Sequence, residues 1–126
     1  MKVLLVDDEK EILEVLKDLI FISFDNTEID TALDGVDASI LCSEKAYDIV
    51  ITDFRMSKMD GEEFIQNMRK MDSSKNKLTP AIVLSGFISD AEERLSQFEA
   101  LTFMTKPYNS ENLLETIGQI TGNKIS

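Results

Sequence analysis

Three acidic residues, a serine and a lysine stand at the ends of short apolar runs in this chain. Asp7 and Asp8 follow "VLLV", Asp53 follows "IVIT", Ser85 ends "AIVLS", and Lys106 follows "LTFMT". Two carboxylates about 4 Å apart repel by roughly 4 kcal/mol at an effective dielectric of about 20. A hard divalent cation such as Mg²⁺ relieves that repulsion. With the cation bound, one carboxylate can attack a phosphoryl group and become an aspartyl phosphate. The ammonium group would neutralise one phosphoryl oxygen, and the hydroxyl group would donate a hydrogen bond to another.

The apolar runs themselves predict the elements that must hold these side chains. Strands are expected at residues 3–6, 28–32, 49–52, 81–85 and 101–105, each followed by a segment of helical periodicity. Five strand–helix units in succession predict an α/β fold with a parallel sheet and helices on both faces. In such a sheet the functional groups gather beyond the carboxyl ends of the strands, so the five residues are expected to meet there.

The helical segments carry further local predictions. The first helix is expected to present one apolar face, made by Ile12, Leu13, Val15, Leu16, Leu19 and Ile20. The sequence "SDAE" at 89–92 resembles a capping box and predicts that the fourth helix starts there. Asn109 or Ser110 is expected to cap the last helix. Met68 and Met71 are predicted to lie in the core.

Composition restricts the classes of function. The chain has 126 residues, which suits one domain over 1–126, and a formal net charge of −11, which argues against binding to nucleic acid or anionic membranes. It contains no histidine, so histidine-activated nucleophiles and histidine metal ligands are excluded. Cys42 is the single cysteine, expected to be inert within the second helix and consistent with a reducing cytoplasm. The basic stretch 69–77 is interpreted as a solvated loop.

Four motifs in order resemble the receiver domain of two-component response regulators over nearly the whole chain. They are "VDDE" after the first strand, "DFRMSKMDG" from the third, "LSG" at the fourth and "FMTKP" at the fifth. The resemblance implies a doubly wound, CheY-like sheet of order 2-1-3-4-5. It also implies that Asp53 is the phosphoacceptor and that Mg²⁺ is the cofactor. Asp8 would ligate the metal directly, Asp7 through water, and Arg55 through its backbone carbonyl.

The same resemblance assigns the remaining site residues. Ser85, Gly86 and Lys106 would bind the phosphoryl group, and the Lys106–Pro107 peptide bond is expected to be cis. Ser85 and Phe103 would act as a switch that alters the face formed by the fourth helix, fifth strand and fifth helix. The alternative for Phe103 is an ordinary phenylalanine of the core. A sensor histidine kinase or phosphotransfer protein would supply the phosphoryl group, and a downstream protein effector would read the change. No external substrate would be turned over, so the domain is not expected to be an enzyme.

Departures from the family pattern leave alternatives open. The family usually has proline where this chain has Ser57, which loosens the turn but removes no reacting group. Arg55 and Phe87 occupy variable positions and are hypothesised to shield the phosphoryl group from water. A haloacid-dehalogenase-like phosphatase would need an acidic residue at position 55, where this chain has arginine. A flavodoxin-like electron carrier would need a phosphate-binding loop after the first strand, where this chain has "DDEKE". A degenerate receiver that serves only for docking is the third alternative.

Overall fold

The computed structural model describes all 126 residues, and its strands and helices alternate along the chain. The strands are β1 (Lys2–Val6), β2 (Glu28–Ala32), β3 (Ile49–Asp53), β4 (Ala81–Ser85) and β5 (Leu101–Thr105). The helices are α1 (Lys10–Ser23), α2 (Gly35–Glu44), α3 (Gly61–Lys70), α4 (Ile88–Arg94) and α5 (Ser110–Thr121). All five predicted strands are therefore present, and β3 runs one residue beyond the prediction to include Asp53. None of the helices has the length and apolar character that crossing a bilayer requires.

The strands form one parallel sheet in the order β2-β1-β3-β4-β5, which confirms the predicted fold class. β1 pairs with both β2 and β3, so the chain reverses its direction of winding between those two neighbours. The crevice beyond the carboxyl ends of β1 and β3 is therefore the topological switch point, where ligands bind in open α/β sheets.

Two apolar clusters cover the two faces of the sheet. One side of β1, β3 and β4 packs against α2, α3 and α4, and the other side packs against α1 and α5. Successive strand residues point to opposite faces, so Val50 belongs to the first cluster and Ile49 and Ile51 to the second. Burial on both faces explains why these strands are nearly continuous aliphatic runs.

Two predicted core residues are exposed. In α1 the buried stripe consists of Leu13, Leu16 and Ile20, whereas Val15 lies beside it and is 67% exposed. Met71 follows the last residue of α3, beyond the helix face that packs on the sheet, and is 50% exposed. The core predictions for these two residues are therefore wrong. Met68 and Cys42 are buried as expected, and burial raises the pKa of the Cys42 thiol to about 12.

The predicted capping box does not start α4. The helix begins at Ile88, and the residue before it, Phe87, donates its N–H to Ser85 Oγ at 3.0 Å. Ser89 therefore lies inside the first turn, and Asp90 binds arginine side chains rather than a helix N–H. At α5 the prediction is confirmed, because Asn109 Oδ1 accepts from the N–H groups of Glu111 and Asn112.

The basic stretch 69–77 is not simply solvated. Arg69 is half-buried and donates hydrogen bonds to the carbonyls of Asn76, Glu99 and Ala100. Asn76 is only 1% exposed and bonds the backbone on both sides of the α2–β3 loop. These two residues hold the loops at the amino ends of β3, β4 and β5, so the interpretation as a solvated loop is wrong for them.

Candidate functional site

The strands deliver three carboxylates to one end of the sheet. Asp53 is the last residue of β3, where it follows the fully buried Thr52 and is itself 7% exposed. Asp7 directly follows β1 and is buried, with its N–H bonded to the carbonyl of Ala32 at 3.2 Å. Asp8 comes next and is exposed. Because β1 and β3 are paired in parallel, their last residues lie at the same edge.

The oxygen atoms of the three carboxylates lie close together. One oxygen each of Asp7, Asp8 and Asp53 falls within 4.8 Å of the others. Asp7 Oδ1 accepts from the Glu9 N–H at 2.9 Å, and Asp8 Oδ2 accepts from the Ser57 N–H at 3.2 Å. Each of these two residues keeps its second oxygen free of hydrogen bonds from the chain. Such an oxygen-only, partly satisfied donor set suits a hard divalent cation.

Lys106 supplies the single positive charge in contact with this cluster. It follows β5, and its N–H donates to the Ser85 carbonyl at 2.8 Å, which joins the ends of β4 and β5. Its Nζ lies 2.6 Å from Asp53 Oδ1 and 3.9 Å from Asp7 Oδ2. The peptide bond from Lys106 to Pro107 is cis. One ammonium group therefore faces three carboxylates, and negative charge remains in excess.

Burial and the surrounding charges both shift the pKa values of Asp53 and Lys106. Burial raises the pKa of Asp53; Lys106 opposes the shift, and the charges of Asp7 and Asp8 add to it. Burial alone would lower the pKa of Lys106, but the hydrogen bond and charge of Asp53 outweigh it and raise that pKa. Ionised Asp53 is thus disfavoured by its surroundings, and the lysine stays protonated. A further cation would stabilise the ionised carboxylates.

Ser85 lies at the end of β4 and is buried, 4% exposed. Its Oγ accepts the Phe87 N–H, while its own hydroxyl proton has no acceptor in the chain. That proton is available to an oxygen atom of a ligand at the strand ends. Gly86 is exposed, and a Cβ placed there would meet no atom within 4 Å. Close packing does not therefore explain the glycine at this position.

Gly61, the glycine that ends the "DFRMSKMDG" motif, has a clear steric role. A Cβ at Gly61 would overlap the Asp53 carbonyl and approach Phe54 Cα to 2.7 Å. The Gly61 N–H also donates to the Phe54 carbonyl at 2.8 Å. α3 therefore starts against the backbone that carries Asp53. The glycine in "MDG" is the sequence signal for this contact, since a residue without a Cβ permits close backbone approach.

The two variable positions beside the site differ in their contacts. The Arg55 side chain is 66% exposed, lies over the Phe54 ring and pairs with Asp90 Oδ2 at 2.9 Å. Phe87 is 75% exposed. Their proposed shielding of a phosphoryl group stays a prediction. Phe103, on β5, is half-buried and packs against the cluster beneath α4.

Comparison with known proteins identifies the family. The family model of the response regulator receiver domain matches residues 3–118. The chain belongs to this family. Receiver domains are parts of two-component systems, and the predicted resemblance is confirmed.

Individual relatives agree with this assignment. The regulatory protein VanRB of Enterococcus faecalis is 28% identical over 119 residues, which are 93% of this chain. The chain spans about half the length of VanRB (50%). The chemotaxis protein CheY4 of Vibrio cholerae is 29% identical and superposes with a TM-score of 0.82 over 94% of this chain and 97% of that one.

A more distant structure shares the fold alone. The receiver domain of the sensor histidine kinase PA1611 from Pseudomonas aeruginosa is 20% identical, with a TM-score of 0.77 over 96% of this chain and 97% of that one. That structure is described with a magnesium ion coordinated in its active-site cleft.

Proposed function

We propose that Asp53 accepts a phosphoryl group from the phosphohistidine of a sensor histidine kinase or phosphotransfer protein. The observation that supports this proposal is the arrangement around Asp53. A buried carboxylate at a strand end contacts Lys106 at 2.6 Å and lies within 4.8 Å of oxygens from two further carboxylates. Since this chain has no histidine, the phosphohistidine belongs to the partner.

In the proposed transfer, a carboxylate oxygen of Asp53 forms a bond to phosphorus as the bond from phosphorus to the partner's imidazole nitrogen breaks. Lys106 holds its proton and faces the phosphoryl oxygens as a compact positive charge. Ser85 donates its unused hydroxyl proton to another of those oxygens. Phosphoryl transfer depends mainly on such positioning and charge neutralisation.

The residues present fit a magnesium ion. Asp8 and Asp53 would hold it directly, Asp7 through water, and the Arg55 carbonyl would add an oxygen ligand. Magnesium, when bound, neutralises carboxylate and phosphoryl charge during the transfer. The oxygens of Asp7 and Asp8 that accept no hydrogen bond from the chain support this ligand set.

The proposed output is a change of the face formed by α4, β5 and α5. Ser85 Oγ accepts the N–H of Phe87, the residue before α4. If the Ser85 hydroxyl reorients towards a phosphoryl oxygen, its hydrogen bond with Phe87 weakens. Phe103 packs close by against the cluster that includes Ala91 and Leu95. Movement of α4 would open room for the Phe103 ring to turn inward, and a downstream effector would read the altered face.

The direct test is intact mass after incubation with acetyl phosphate and Mg²⁺. We expect the mass of one phosphate to be added, and the addition to be lost in Asp53→Asn and in the presence of a chelator. Asp48→Asn, which changes an aspartate at the opposite end of β3, is the matched control and should be phosphorylated. Phosphate retained by Asp53→Asn would contradict the assignment.

We further propose that residues 1–126 act as one receiver domain without turnover of an external metabolite. Transfer to Asp53 and hydrolysis of the aspartyl phosphate would be its only reactions. The single thiol, Cys42, is buried and suits a reducing compartment such as the cytoplasm. The net charge of −11 supports partners that are proteins rather than nucleic acid or membrane.

A further inference from the structure

Ser57 makes a contact with the acidic cluster that a proline could not make. Its backbone N–H donates to Asp8 Oδ2 at 3.2 Å, across 49 positions of sequence. The position is one where receivers usually have proline, and proline has no N–H to donate. The serine at this position therefore adds a backbone hydrogen-bond donor beside Asp8.

The loop between β3 and α3 is held in place by contacts other than those of the Ser57 side chain. Gly61 N–H donates to the Phe54 carbonyl at 2.8 Å, and Gly35 N–H donates to the Met59 carbonyl at 3.0 Å. The Met59 sulfur also accepts from Asn67 at 3.2 Å. The Ser57 hydroxyl itself makes no hydrogen bond within the chain. The placement of the Ser57 N–H is thus a property of the backbone.

Asp8 depends on this contact more than Asp7 depends on its own donor. Asp7 is buried and accepts from Glu9, two residues along the chain. Asp8 is exposed, and the Ser57 N–H is the one hydrogen-bond donor that its carboxylate has. The bond occupies Oδ2 and leaves Oδ1 for another partner. It also ties the end of β1 to the loop that carries the Arg55 carbonyl.

We propose that the Ser57 N–H positions the Asp8 carboxylate for Mg²⁺ binding. Ser57 is a positioning residue, because it acts through Asp8 and not on the ion. Donors of this kind orient a ligand before the metal arrives, and their loss commonly weakens metal binding. The proposal rests on the magnesium pocket of the proposed function.

The test compares Ser57→Pro with Ser57→Ala by calorimetric titration with Mg²⁺ alone. Both variants lose the hydroxyl, but only Ser57→Pro loses the N–H. We expect Ser57→Pro to bind Mg²⁺ about 10-fold more weakly than Ser57→Ala, the lower end of the range for outer partners of metal ligands. Equal or tighter binding by Ser57→Pro would overturn the proposal.

A second measurement covers the case in which Ser57→Pro does not fold. Amide hydrogen exchange of Ser57 in the metal-free protein should be slow and should accelerate in Asp8→Ala; an unchanged exchange rate would overturn the proposal. The wild-type titration separates this inference from the proposed function. If the wild-type protein does not bind Mg²⁺, the magnesium pocket fails; if it binds and the two Ser57 variants agree, only the role of Ser57 fails.

Discussion

The polar groups at the two ends of the sheet differ in whether the chain supplies enough partners for them. At the amino ends of β3 and β4, the Asn76 amide accepts from the Tyr47 N–H and the Thr79 hydroxyl and donates to the carbonyls of Cys42 and Lys45, at 2.7 to 3.0 Å. At the carboxyl ends, three carboxylates share one lysine, and the pKa of Asp53 is raised by burial.

The difference separates stability from function. An amide that makes two donated and two accepted bonds uses its full capacity, so the amino end needs no outside partner. Excess negative charge at the carboxyl end is unfavourable in the isolated chain and becomes favourable only when a cation binds. Polar groups satisfied within the chain thus mark a structural contact, and unsatisfied charge marks the candidate binding site.

The largest expected effect on stability comes from removing the Asn76 amide at the amino ends of the strands. Asn76→Ala leaves buried N–H and carbonyl groups without partners, and we expect the free energy of unfolding to fall by about 3 kcal/mol. Urea unfolding measures it. Asn112→Ala, on the exposed side of α5, is the control and should stay within about 0.5 kcal/mol of wild type. A loss below 1 kcal/mol at Asn76 would show that water replaces the amide.

The next largest effect on stability comes from binding Mg²⁺ at the carboxyl ends of the strands. Mg²⁺ at ten times its dissociation constant should stabilise the wild-type protein by about 1.4 kcal/mol. The gain should shrink in Asp53→Asn, which removes one negative ligand. Asn76→Ala should show the same gain as wild type, because the two ends are far apart and their energies add. Thermal melting with and without chelator checks both statements, and an undiminished gain in Asp53→Asn would contradict the ligand set.

Much of the carboxyl end was predictable, since it follows from regular patterns. Aliphatic runs mark β1, β3 and β4, and parallel pairing then places the residues that follow them at one edge. This pattern predicts that Asp7, Asp53 and Lys106 lie together, and the structure places the Lys106 ammonium within ion-pair distance of both carboxylates.

The contacts at the amino ends of the strands were not predicted, because they produce no periodic pattern in the sequence. Arg69 and Asn76 donate to carbonyls of Glu99 and Cys42, which are 30 and 34 positions away in sequence. The Ser, Lys and Asn residues around them are typical of solvated loops. The start of α4 was misplaced for a related reason. A local capping motif at Ser89 competes with a contact from the preceding loop, Phe87 N–H to Ser85, and the contact prevails.

A smaller effect should appear in the pH dependence of the carboxyl end without metal. The pKa of Asp53 is raised above 3.8, so the folded state holds this proton more tightly than the unfolded state. Stability that is present below the unfolded pKa is then lost as the pH rises through the folded value. In chelator, Asp53→Asn should therefore gain stability over wild type as pH rises towards neutral. Urea unfolding across that range measures the gain, and a constant difference would contradict the raised pKa.

The smallest effect concerns Asp30, a carboxylate that has partners for its charge within the chain. Asp30 is partly buried, which alone would raise its pKa, but the Tyr47 hydroxyl at 2.8 Å and Lys45 at 3.0 Å lower it. A carboxyl group with a lowered pKa adds stability above its unfolded pKa and loses it as the pH falls through the folded value. Tyr47→Phe should therefore cost about 1 kcal/mol at neutral pH and less once Asp30 is protonated.

Tyr108→Phe gives a control for that prediction, because the Tyr108 hydroxyl makes no hydrogen bond within the chain, and its ring is half-buried where that of Tyr47 is buried. Its cost should be small and independent of pH. Equal pH profiles for the two variants would contradict the prediction, because the Tyr47 hydroxyl would then not stabilise ionised Asp30. With the expected profiles, the pH dependence of Asp53 and Asp30 runs in opposite directions, because one carboxylate lacks sufficient partners within the chain and the other has them.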